Sequence, residues 1–144
     1  MTATGDGAGE RRAAERLGFR AEMVVQELGW DEDVDHDLRQ SIEEVTGAEL
    51  VGGDYGDVAD AVMLWWREDD GDLVDALVDA LTDLADGGSI WLLTPKVGQD
   101  GHVDPTDVAE AAPIAGVSVT TTQPAGDTWS ATKLVKPKAG RGRR

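Results

Sequence analysis

The sequence predicts an α/β domain of three layers, with helices on both faces of a mostly parallel sheet of about five strands that ends in an antiparallel hairpin. Three observations carry this. "DAVMLWW" (60–66) and "SIWLLTP" (89–95) are apolar runs without polar alternation, as expected of strands covered on both faces. Between them lies a segment with helical leucine spacing, so strand, helix and strand follow one another within about 35 residues, the length of a right-handed parallel crossover. After Gly116, "GVSVTTTQP" and "TWSATKLV" are alternating or β-branched runs separated by "AGD", a turn signal that predicts the hairpin at a sheet edge.

In chain order, the spacing of Phe19, Ala21, Val24, Val25 and Leu28 predicts a first helix that stops at Gly29. Asp35 caps a second, which carries Leu38, Ile42 and Val45 on one face and ends at Gly47. "AELVG" (48–52) is a weak strand candidate. The crossover helix runs from its N-cap Asp72 to Gly87, with Leu73, Leu77, Leu81 and Leu84 on one side and Asp72, Asp75, Asp79 and Asp83 on the other. Asp104 and Pro105 start a further helix, because proline suits the first helical position and aspartate the cap. Residues 18–136 are expected to form the single α/β domain. Residues 1–17 are expected to be a flexible N-terminal segment, and 137–144, with "GRGRR" at its end, a basic disordered tail.

Charge is unevenly distributed. All 29 acidic residues precede position 128, so residues 1–132 carry seven cations against 29 acids, a net of −22, while the remaining chain carries +6. Such an acidic protein should repel nucleic acid phosphates, and no nucleic acid partner is expected. The basic end could touch an acidic partner or fold back on its own body. No segment has the roughly 20 apolar residues needed to span a bilayer, and the N-terminus lacks the apolar stretch of a secretory signal, so a cytoplasmic location away from membranes is expected. Without cysteine, disulfides, thiolate metal sites and cysteine nucleophiles are excluded.

Most suggestive motifs fail on spacing. "LVGGDYGDV" lacks G-x-G-x-x-G and precedes a strand instead of a helix. The alternating aspartates Asp31, Asp33, Asp35 and Asp37 resemble a calcium loop. Counted from Asp31, however, the glycine position is His36 and the twelfth is Ile42; counted from Asp33, Glu44 falls correctly but Leu38 occupies the glycine position. Capping and a solvated acidic linker explain them. No serine lies in G-x-S-x-G, and His36 and His102 are the only histidines. No catalytic residue or metal ligand is assigned, and no cofactor is expected.

One constellation survives. In open α/β sheets, ligands bind beyond the carboxyl ends of parallel strands. The first residues beyond the two buried runs include Arg67 and, after Thr94 and Pro95, Lys96; these are the only cations between Arg39 and Lys133. Arg67, Thr94, Lys96 and His102 are therefore the candidate site for an anionic small molecule. Pairing of the cations with Glu68, Asp69, Asp70 or Asp100 is the competing structural explanation. Among the five tryptophans core packing is the default, and Trp30 and Trp66 are the candidate anchors for a protein partner.

The run "DAVMLWWREDDGDLVDALVDALTDLADGGSIWLLTPK", followed by "HVDPTDVAEAAPIAGVSVTTT" and "DTWSATKLV", resembles the later half of class I methyltransferases, in which strand, helix, strand, helix and an antiparallel pair occur in that order. "FRAEMVVQELGWDEDVDHDLRQSIEE" with "MLWWREDDGDLVDALVDAL" and "IWLLTPK" resembles more closely the actinobacterial family catalogued as domain of unknown function 3052, over roughly residues 18–137. The resemblance implies a Rossmann-like, degenerate methyltransferase-like fold. Methyltransferases hold adenosylmethionine with an acidic, glycine-rich loop after the first strand and an acidic residue ending the second. Here two helices are expected in that portion, so no binding residue carries over. The functional expectation is a non-catalytic binding or regulatory protein acting through protein–protein contacts, with an anionic small molecule at the strand ends. The alternative is a divergent methyltransferase-like or other transferase.

Overall fold

A computed structural model describes residues 14–137. These residues form a five-stranded sheet in the order β1-β2-β3-β5-β4, where β1 is Val25–Leu28, β2 Ala59–Trp65, β3 Leu84–Pro95, β4 Ser118–Ala125 and β5 Trp129–Val135. β1, β2 and β3 are parallel, β5 runs antiparallel to β3, and β4 runs antiparallel to β5. Among the described residues the helices α1 (His36–Thr46), α2 (Leu73–Ala80) and α3 (Pro105–Ala115) flank the sheet. Their starts obey local chemistry. The side chains of Asp35, Asp72 and Asp104 accept from the amides of Leu38, Asp75 and Thr106, and Pro105 occupies the first turn of α3.

Two cores lie on opposite faces of the sheet. Alternation along β2 and β3 sends Ala61, Met63, Trp65, Trp91 and Leu93 to the face covered by α1 and Phe19. It sends Val62, Leu64, Trp66, Ile90 and Leu92 to the face covered by α2 and α3. This double covering is why both strands read as unbroken apolar runs.

Three expectations are corrected. The helix expected over residues 19–28 is instead a loop followed by β1, whose Val25 pairs with Ala61 and Leu28 with Leu64. Helix-like spacing in that short stretch was coincidental, and pairing with the open side of β2 prevails. The crossover helix stops at Ala80 and not at Gly87. Leu84 keeps its place in the core by opening β3, and Gly87 and Gly88 belong to a bulge in which two steps along β2 (Ala59 to Ala61) face five along β3 (Leu84 to Ser89). A Cβ on Gly88 would lie 2.9 Å from the carbonyl oxygens of Ala85 and Asp60. Ala14 and Leu17, placed by sequence in a flexible segment, are buried against the first core. Residues 1–13 of that segment and 138–144 of the basic tail lie outside the described residues. The "AELVG" strand is reduced to one bridge, in which the Val51 amide donates to Val25 O at 2.9 Å and Val51 O accepts from Glu27 at 2.8 Å.

Candidate functional site

Parallel alignment brings the carboxyl ends of β1, β2 and β3 to one edge, and the β4–β5 turn joins them there because Trp129 pairs with Pro95. Arg67, two residues past β2, falls on the side of the first core, as Trp65 does. Its Nε donates to Asp33 Oδ2 at 3.0 Å, and Nη2 donates to Asp33 Oδ1, a two-pronged pair. Nη1 donates to Gly29 O at 2.8 Å and to Trp65 O and Asp70 Oδ2 at 3.3 Å. The guanidinium carbon lies 5.3 Å from the centre of the Trp129 ring.

The bonding continues inward. Trp129 Nε1 donates to Asp33 O at 3.2 Å, and its ring meets that of Trp65 edge-on with centroids 4.9 Å apart. Trp65 Nε1 donates to Glu27 Oε2 at 2.9 Å, and Glu27 also accepts from Arg39 Nε at 2.6 Å and Nη2 at 2.8 Å. One network thus ties α1, β1, β2, β5 and their loops together. Burial works against the Arg67 cation, but hydrogen bonds to Asp33 and Asp70 outweigh it and raise its pKa above the ordinary arginine value. The same guanidinium holds the Asp33 carboxyl below its usual 3.8.

The four residues expected to bind an anion are divided by the sheet. Arg67 faces its carboxylates on the Trp129 side. Lys96 Nζ donates to Gly126 O at 3.0 Å. Thr94 falls on the opposite face, together with Leu92, and shares with His102 a cleft of about 270 Å³ between α3 and β4. On the Arg67 side, a shallower cleft of about 190 Å³ is bounded by Asp33 and Asp100 and has no cation in its lining. Trp66 is buried in the second core, 7% exposed, and borders a cleft beside the start of α2. Trp30 is 51% exposed on the β1–α1 loop, next to His36.

Asp33, Trp129 and Glu27 were not anticipated as partners at this edge. Asp33 lies 34 residues from Arg67, and only the β1–β2 pairing brings the two together. The hydroxyls of Ser130 and Thr132, also lining the larger cleft, had a legible signal: they occupy the alternate positions of β5 that face inward with Leu134. Among the described residues no group of three or more His, Asp and Glu is placed to hold a metal ion, and no helix is long and apolar enough to cross a membrane.

A family model described as "protein of unknown function (DUF3052)" matches residues 14–138. The chain belongs to the DUF3052 family. A family relative from Mycobacterium tuberculosis strain H37Rv, the uncharacterized protein Rv2239c, is 52% identical over 131 residues, covering 91% of this chain and 82% of that protein. Among solved structures, an S-adenosylmethionine (SAM)-dependent methyltransferase from Aquifex aeolicus superimposes with a TM-score of 0.56 at 11% identity over 88% of each chain. A precorrin-6y C5,15-methyltransferase from Geobacter metallireducens does so with a TM-score of 0.59 at 9% identity, over 90% of this chain and 87% of that one. This DUF3052 chain therefore has a Rossmann-like, methyltransferase-like fold, and identities this low speak for the fold alone.

Proposed function

We propose that this chain is a non-catalytic binding protein that acts through protein contacts, receiving a basic partner at the carboxyl edge of its parallel strands. The observation that carries the reading is Trp30, a half-exposed indole on a loop whose next residues are Asp31, Glu32 and Asp33. The four connections at this edge, residues 29–35, 66–72, 96–104 and 126–128, contain eleven carboxylates and two cations. Both cations are engaged, Arg67 by Asp33 and Asp70 and Lys96 by a backbone carbonyl. An indole on an edge where carboxylates outnumber cations eleven to two offers a lysine or arginine side chain buried area, cation–π attraction and Coulomb complementarity together.

The transferase reading needs room for adenosylmethionine at the loop after β1, and the residues present do not fit it. Gly29 is the only glycine of that loop, and a Cβ there would lie 2.3 Å from Trp65 O, so the loop is pressed against the end of β2. Its carbonyl is tied to Arg67. The next strand, which would end in the acidic residue, is a single bridge at Val51. An anionic small molecule at Arg67 would have to displace Asp33.

The test is a titration of the full chain, followed by tryptophan emission and calorimetry, with an arginine-rich peptide, with adenosylmethionine and with ATP. Expected is salt-sensitive peptide binding that Trp30→Ala weakens about 30-fold, the loss of roughly 2 kcal/mol typical of an aromatic anchor. Binding of adenosylmethionine or ATP that is lost in Arg67→Ala would refute the reading in favour of the transferase or the anion site. Peptide binding indifferent to Trp30→Ala would refute it as well.

A further inference from the structure

The face of the sheet turned away from Arg67 carries a second feature. Moving outward along that face, the core residues Leu92 and Leu134 give way to hydroxyls. Thr94 of β3 pairs with Ser130 of β5, and Thr132 of β5 pairs with Thr122 of β4, so four hydroxyl side chains form a floor across three strands. Thr94 and Thr132 are buried, and the Thr122 and Thr132 hydroxyl oxygens are 3.2 Å apart. Above them α3 contributes only the short side chains Pro105, Val108 and Ala109, which leaves the cleft of about 270 Å³. Val97 and Val119, 81% and 45% exposed, line its open side.

The lining contains no aspartate, glutamate, lysine or arginine. Its one ionisable group is His102, whose Nδ1 lies 2.9 Å from Pro95 O. A carbonyl oxygen can only accept, so Nδ1 carries the proton, and in the neutral tautomer Nε2 is the acceptor. An anion would find no lysine or arginine here, and Asp104, at the cap of α3, stands at the end of the helix where an anion would otherwise be favoured.

We propose that this cleft binds a small neutral ring compound, a phenol or a heteroaromatic N–H compound, that donates to His102 Nε2, meets the threonine floor with its polar edge and packs its ring against Val97, Val108 and Val119. The volume suits about ten heavy atoms, below the range of drug-sized pockets. Apolar walls with a few convergent hydrogen-bonding groups supply affinity and orientation respectively. The site is independent of Trp30 and of the basic partner.

The experiment uses the isotope-labelled full chain and two probes of similar size, phenol and benzoate, each titrated to about 10 mM while amide resonances are followed. Phenol is expected to shift the amides of Thr94, His102, Val108 and Thr122, with benzoate at least tenfold weaker. Ala109→Trp, which fills the cleft from the surface of α3, should abolish the phenol shifts while leaving the rest of the spectrum native. His102→Phe, which keeps a ring but removes the acceptor, should weaken phenol about tenfold. Absence of phenol shifts, shifts at other residues, equal or stronger shifts with benzoate, or phenol shifts that survive in a natively folded Ala109→Trp chain would each overturn the proposal.

Discussion

Replacing Arg67 by alanine should destabilise the domain by about 3 kcal/mol, a figure built from its separate contacts. The pair with Asp33 is worth only about 0.5–1 kcal/mol, because the Asp33 side chain is 54% exposed and water screens it. Donation to Gly29 O and Trp65 O adds about 1 kcal/mol each, and stacking over Trp129 about 0.5–1 kcal/mol. With a urea m-value of about 2 kcal/mol/M, the unfolding midpoint should fall by about 1.5 M at unchanged m. Tryptophan emission reports it directly, since Trp65 and Trp129 lie in the network. Lys96→Ala is the matched control: it loses one hydrogen bond at the surface and should cost about 0.5 kcal/mol or less. A loss below about 1 kcal/mol for Arg67→Ala, or an equal loss for both variants, would refute the assignment of Arg67 to structure and return it to ligand binding.

Acid should expose the same network. Asp33 is held below its usual 3.8 by Arg67, so it contributes stability that is present above that value and lost as pH falls through the depressed folded value. Asp33→Asn should therefore be less stable than the natural chain at neutral pH and lose less on acidification below about pH 4, read from urea midpoints across the pH range. Leu77→Asp places a charge at a fully buried position and should leave the chain unfolded by circular dichroism, whereas Asp79→Asn on the exposed side of α2 should stay within about 0.5 kcal/mol. Gly29→Ala combines a φ of +76° with a clash at Trp65 O and should cost at least about 2 kcal/mol, against about 1 kcal/mol for Gly47→Ala, which has a similar φ of +82° but open space around it. Thermal unfolding of the two alanine variants checks the difference.

Features set by neighbouring residues were legible in the sequence. The caps Asp35, Asp72 and Asp104 each bond an amide two or three residues on, so their meaning is contained in the local segment. β2 and the second half of β3 were legible because covering both faces leaves an apolar run. β1 was not, since its four residues owe their conformation to Ala61 and its neighbours, more than 30 residues away. The end of α2 was hidden because the helical three- and four-residue leucine spacing runs on through the turn, where Leu84 reaches the same core from a strand. At the edge, Arg67 and Lys96 both follow the carboxyl ends of the parallel strands β2 and β3. Which way each side chain turns depended on alternation past the last paired residue and on Asp33, which only the tertiary fold delivers.

Charge placement also narrows what this fold can receive. Across the β2 and β3 ends, one residue of alternation separates two environments: on the Trp129 side a guanidinium already held by carboxylates, on the α3 side a cleft with hydroxyls and no aspartate, glutamate, lysine or arginine. Neither offers an unpaired lysine or arginine, and the surrounding loops are strongly acidic. A phosphate or carboxylate approaching either side would have to displace an internal carboxylate or enter an uncompensated field, both of which cost more than a single surface contact returns. Cationic partners and neutral ligands meet no such cost. The two proposals, a basic partner at Trp30 and a neutral ring beside His102, therefore follow from one arrangement: the edge where this fold class receives ligands has had its positive charge consumed internally by Asp33 and Asp70.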